Sequence, residues 1–142
     1  LGLVLIVYGY AGARADGALV LYDPPRALRH LALTLLMPVF PLLLAAYLPG
    51  KIRATLKHPM LAAVKLWALA HLLANGTLPD VVLFGGLLAW AVFDRISLKR
   101  RGVAPPPSGW TAGDAVAILG GIGLYGAFVW RLHLWLFGVS PI

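Results

Sequence analysis

Apolar runs of bilayer length constrain this chain more than any other feature. About 20 apolar residues in a helix cross a hydrocarbon core, and about 17 is the practical minimum. Four segments meet or come within one residue of that requirement: 27–48, 59–75, 78–93 and 114–139. The first is broken by Pro38 and Pro41 and stopped by Pro49-Gly50. The second opens on Pro59, at the first helical turn, where a missing N–H costs nothing. The fourth carries Thr111 and Asp114 as candidate caps. Between the last two spans, 95–113 reads as a loop, basic at first and then turn-rich through 104–109.

The composition agrees. Hydrophobic residues make up 61% of the chain, charged residues 12%, and there is no Glu. A soluble domain is about a quarter charged. Too few polar side chains remain here to coat a water-facing surface, and the same numbers exclude disorder. The 11 prolines and 16 glycines do not argue against membrane helices, which tolerate both. With no cysteine, disulfides, thiolate catalysis and Cys-ligated metal or iron–sulfur sites are excluded. The fold expected is an all-α polytopic transmembrane bundle of four full spans plus an N-terminal partial span. That partial span, LGLVLIVYGYAG at 1–12, is only about 18 Å long as a helix. It reads as the back half of a membrane helix, and the chain as lacking an upstream first helix.

The net charge is +7. Its clusters, Lys51/Arg53/Lys57 and Arg95/Lys99/Arg100/Arg101, sit beside apolar runs. No aromatic residues interleave with them as stacking platforms, so topology explains them better than nucleic acid does. Segments 49–58 and 94–113 carry seven Lys/Arg and fall on one side. Arg14, Arg26 and Arg29 fall on the other. The positive-inside rule puts the first set in the cytoplasm of a multi-pass inner-membrane protein.

Polar residues at membrane depth must be paired or functional. Lys65 is near enough to a span end to snorkel, or else it acts inside the bundle. His71 shares a helical stripe with Trp67 and Asn75, consistent either with a hydrogen bond to a neighbouring helix or with a functional role. His71, His133 and His30 are expected at similar depth near the non-cytoplasmic face, with Arg29 and Arg131 nearby. Neutral imidazoles from two helices are a natural axial pair for haem iron, and arginines can hold its propionates. Zinc fits less well, because the only carboxylate in prospect, Asp80, is expected to be distant. No nucleophilic triad is visible. Gly120-Gly121-Ile122-Gly123 lies inside an apolar span and reads as a close helix-packing face rather than a phosphate loop, and Gly85-Gly86 reads likewise.

The stretch KHPMLAAVKLWALAHLLANG (57–76) resembles the central signature of the NnrU family. The likeness extends to YLPGKIR (47–53), LAWAVFDRISLKRRG (88–102) and WRLHLWLFGVSP (130–141), so it covers essentially all of 1–142 as one NnrU-like transmembrane domain. The family includes bacterial proteins associated with denitrification and the plant and cyanobacterial 15-cis-zeta-carotene isomerase, a haem b membrane enzyme. The resemblance implies haem b as cofactor. It makes His71, in the Ala-His element, the match to an iron ligand, and His58, in the His-Pro element, a second motif histidine. The isomerase's other axial histidine lies on an upstream helix with no counterpart here. Either that ligand lies outside these residues, or His133 or His30 substitutes, or haem is not bound. If the protein is an enzyme, the resemblance implies haem-dependent cis–trans isomerisation, with a carotenoid or other apolar small molecule as substrate. The competing expectation is a non-catalytic accessory or assembly subunit of a larger respiratory, denitrifying or photosynthetic membrane complex. A transporter ranks last, because four and a half spans without repeat symmetry are few.

Overall fold

The computed structural model describes residues 1–102, 105–106 and 109–142. Of the turn-rich run expected at 104–109, positions 104, 107 and 108 lie outside them. The described elements are α1 (Gly2–Ala15), α2 (Arg26–Leu36), α3 (Val39–Ala45), α4 (Lys51–Leu56), α5 (Pro59–Ala74), α6 (Leu78–Arg101), α7 (Ala112–Ala127), a π-helical turn (Phe128–Leu132) and α8 (His133–Phe137). The β structure described is an isolated bridge between Val20 and Thr77.

Among the described residues, three helical stretches are long and apolar enough to cross a membrane: Arg26–Ala45, Leu78–Arg101 and Ala112–Phe137. The expected four full spans are thus three, together with the shorter apolar helix α5. At 16 residues, α5 is about 24 Å long against a hydrocarbon core of about 30 Å. Its end is set by the neighbouring segment. Leu21 and Tyr22 both donate backbone N–H bonds to the Gly76 carbonyl, at 2.8 and 3.2 Å, which draws 75–76 into extended pairing. A Cβ at Gly76 would stand 1.9 Å from the Tyr22 carbonyl oxygen, so only glycine permits that approach.

Two stretches outside the expected spans contain helix. α6 runs on through Arg95, Lys99, Arg100 and Arg101 before Gly102 stops it in the left-handed conformation, φ 71°. Lys and Arg are good helix formers, and their charge suits the negative end of the helix dipole. Within 49–58, residues 51–56 form α4. Lys57 then takes φ 64°, ψ −43°, and the His58 N–H bonds the Leu56 carbonyl at 2.7 Å. That is a γ-turn, a strained arrangement for a residue with a side chain. At the break expected from Pro38, α2 stops at Leu36 and Pro38 caps α3. The missing proline N–H interrupts the ladder there.

α3 packs against α7, α5 against α6, α2 and α3 against α5, and α1 against α6. The buried positions are mostly small: Ala32, Ala45, Ala63, Ala68, Ala70 and Ala117. Large side chains such as Phe93, Leu119, Trp130 and Trp135 point outward. Small residues at contacts and large apolar ones outside is the pattern of helices packed in lipid, where close backbone approach rather than apolar burial drives association. Gly121 is the tightest such contact: a Cβ there would lie 2.2 Å from the Pro41 nitrogen. Gly85 and Gly86 do not serve likewise, since a Cβ at either meets nothing within 4 Å.

Polar staples close both ends of the bundle. At one, the Asp114 carboxylate accepts from the Lys51 and Ile52 amides, both at 2.9 Å, and the Thr111 hydroxyl donates to the Pro49 carbonyl at 2.6 Å. At the other, the Tyr22 phenol donates to the carbonyls of Leu72 and Asn75. Burial, with the Asp80 charge adding to it, pushes the pKa of this phenol up, so it keeps its proton and remains a donor. The basic segments 49–58 and 94–101 therefore share one end of the bundle, as the sequence implies.

Candidate functional site

An aromatic and polar cluster fills the end of the bundle away from Asp114. Trp67 and His71 stand one turn apart on α5 and face Phe84 of α6, which is buried. The His71 ring stacks on Phe84 with centroids 4.6 Å apart and planes 29° apart. Trp67 meets the same ring edge-on at 5.0 Å. Tyr10 of α1 meets it from another direction, T-shaped at 6.2 Å.

One turn before Phe84, Asp80 is 1% exposed. The Tyr10 hydroxyl donates to it at 2.5 Å, and the Thr77 hydroxyl and amide donate at 2.6 and 3.1 Å. Arg14 donates to the Tyr10 oxygen at 3.1 Å and lies 3.9 Å from the carboxylate. Thr77 and Asp80 form a capping box at the start of α6. A buried carboxylate needs this many donors to stay ionised.

The His71 Nδ1 atom is 2.8 Å from the Trp67 carbonyl oxygen. A carbonyl can only accept, so Nδ1 carries the hydrogen and Nε2 presents its lone pair. His133 repeats the arrangement: its Nδ1 is 2.7 Å from the Val139 carbonyl oxygen, and its ring packs on Phe137 at 5.0 Å. The π turn immediately before His133 sets the direction in which that side chain leaves the helix, and such turns recur at functional sites. Among the described residues, no group of three or more His, Cys, Asp or Glu gathers to hold a metal ion.

Over residues 1–141 the chain matches the family described as NnrU protein. The chain belongs to the NnrU family. No curated protein and no solved structure matches it.

The histidine motifs of this NnrU chain occupy opposite ends of one helix. His58 caps the start of α5 and His71 lies in its last turns, 13 residues or about 20 Å farther along. The two cannot share a ligand the size of one metal ion. His30, one turn into α2, is at the same end as His71, but its ring is exposed and makes no hydrogen bond among the described residues. Arg131 is also exposed and lines a shallow depression with Leu134 and Trp135. Standing two positions before His133, it leaves the helix on a different face. Lys65 is half-buried midway along α5. Of the residues singled out in the sequence, His71 and His133 each have Nδ1 against a backbone carbonyl.

Tyr10, Asp80 and Phe84 of this NnrU site carried little sequence signal. Asp80 is not distant from His71, because the short turn at 75–77 folds α6 straight back beside α5. Thr77-Leu78-Pro79-Asp80 reads as a helix start. That box places Asp80 about one turn beyond the end of α5.

Proposed function

We propose that this NnrU protein is a membrane-embedded haem b protein in which His71 ligates the iron and His133 is the partner imidazole. The observation that carries the reading is the shared setting of the two rings. Each donates Nδ1–H to a backbone carbonyl and so offers Nε2, as metal-ligating histidines do. A two-imidazole donor set without thiolate suits haem iron better than zinc. Phe84 and Trp67 hold the His71 ring in place from the protein side. Bound haem would supply electron transfer or, with one axial position free, Lewis-acid chemistry on an apolar polyene. The family supports a link to denitrification or to carotenoid cis–trans isomerisation, in the bacterial inner membrane.

The test is an absorption spectrum of the detergent-purified protein, oxidised and dithionite-reduced, with a pyridine haemochrome assay. A b-type spectrum that disappears in His71→Ala is expected. A colourless protein, expressed with ample haem, overturns the reading.

A second reading is favoured by Gly85 and Gly86, which present a small-residue stretch of α6 with no neighbour within 4 Å of a would-be Cβ. A helix of another membrane protein could approach closely there. An accessory subunit of a respiratory, denitrifying or photosynthetic complex would co-purify with that complex in mild detergent and carry no chromophore.

A further inference from the structure

The two ends of the bundle are electrically unlike. At the Asp114 end, Lys51, Arg53 and Lys57 lie around α4, while Arg95, Lys99, Arg100 and Arg101 crown α6. Against these seven cations stand Asp94 and Asp114, leaving +5. At the opposite end, four arginines face three aspartates, leaving +1. The pairing differs as well. Arg14 and Arg29 of the far end lie against Asp80 and Asp23, but among the described residues none of the seven cations forms an ion pair. Asp114 cannot serve them, because it is buried and spent on backbone amides and Thr111.

A second observation fixes the level of these charges relative to a bilayer. Trp110, 66% exposed, lies just before α7, and the Lys51 ammonium sits 5.2 Å from its ring centroid. Tryptophan with lysine at the end of apolar helices marks the headgroup layer. The last turns of α6 hold Lys99, Arg100 and Arg101 on a rigid helix at the same end, all exposed.

We infer that this end of the bundle is a binding surface for anionic lipid headgroups, with Lys51 and the Lys99–Arg101 crown contacting the phosphates. Clusters of four to eight Lys/Arg immediately beyond membrane helices attract acidic lipid, with each cation strengthening binding about fivefold. Guanidinium groups add bidentate contacts to phosphate.

The test is native mass spectrometry of the detergent-solubilised full chain with equimolar phosphatidylglycerol and phosphatidylcholine. The wild type is expected to retain phosphatidylglycerol over phosphatidylcholine by at least about tenfold. The triple substitution K99Q/R100Q/R101Q should erase most of that preference, while R26Q/R131Q at the opposite end leaves it unchanged. The charge-keeping triple R95K/R100K/R101K guards against loss through misfolding and should retain the preference. Inorganic phosphate at the same concentration should not displace the lipid. Equal retention of the two lipids by the wild type, equal loss in both glutamine variants, or displacement by free phosphate would each overturn the inference.

Discussion

The Tyr10 hydroxyl donates to the Asp80 carboxylate at 2.5 Å, joining residues 70 positions apart. This bond fastens α1 to the start of α6 and places Asp80 behind the ring that supports His71. Tyr10→Phe removes one donor from a buried charge, which costs about 1.5–3 kcal/mol. Asp80→Asn removes the charge itself. A double-mutant cycle on the thermal midpoint in detergent should therefore give a coupling energy of about 1–3 kcal/mol. A coupling near zero would mean that the two side chains do not meet in the folded protein.

Asp114 makes the corresponding fastening at the basic end. Asp114→Ala releases the Lys51 and Ile52 amides and frees α4 from α7. Asp114→Asn keeps one acceptor oxygen and most of the shape. Trypsin should then cut after Arg53 faster in the alanine variant than in the asparagine variant or the wild type. Equal cutting rates would show that α4 does not depend on this carboxylate.

Gly121 and Gly123 should respond to alanine with opposite signs. At Gly121 the new methyl meets the Pro41 backbone, which has no flexible side chain to yield, and the expected loss is about 2–3 kcal/mol. At Gly123 nothing lies within 4 Å, so the better helix former should gain about 0.5–1 kcal/mol. Thermal midpoints of the two variants in one detergent decide the matter.

Lys57 holds a positive φ of 64° without being glycine. Lys57→Gly should relieve about 1 kcal/mol of strain and raise the thermal midpoint. The chemically closer Lys57→Arg should leave it unchanged. A glycine variant that melts lower would show that the lysine side chain contributes more than its backbone costs.

Much of this architecture is visible in the residues because lipid-facing helices leave a coarse, repetitive record. Pro59 at a helix start, the Thr111 and Asp114 caps, and the shared side of Lys51 and Arg95 all follow from local chemistry plus bilayer thickness. The reading fails where a single distant partner decides. Gly76 ends α5 because Tyr22 approaches it, and nothing near position 76 announces that. Arg95 to Arg101 look like a loop because they are charged, yet charge is no obstacle to a helix once it leaves the lipid. Asp80 resembles a surface cap until Tyr10 covers it. His71 is legible as a polar residue among apolar ones, whereas its stacking on Phe84 depends on how α6 folds back beside α5.

The π turn at Phe128–Leu132 is equivalent to one surplus residue in an otherwise continuous helix from Ala112 to Phe137. Deleting one position there would restore regular winding and leave every later side chain pointing nearly as before, because the wider turn already takes up the extra residue. His133 would then keep its direction, and residues before the turn, such as Gly121 against Pro41, would keep their places. Shortening by one residue and substituting the histidine are thus distinguishable changes: the first keeps the direction of the imidazole, the second removes the imidazole. A sequence lacking that surplus residue would present the same imidazole in the same direction from a regular helix.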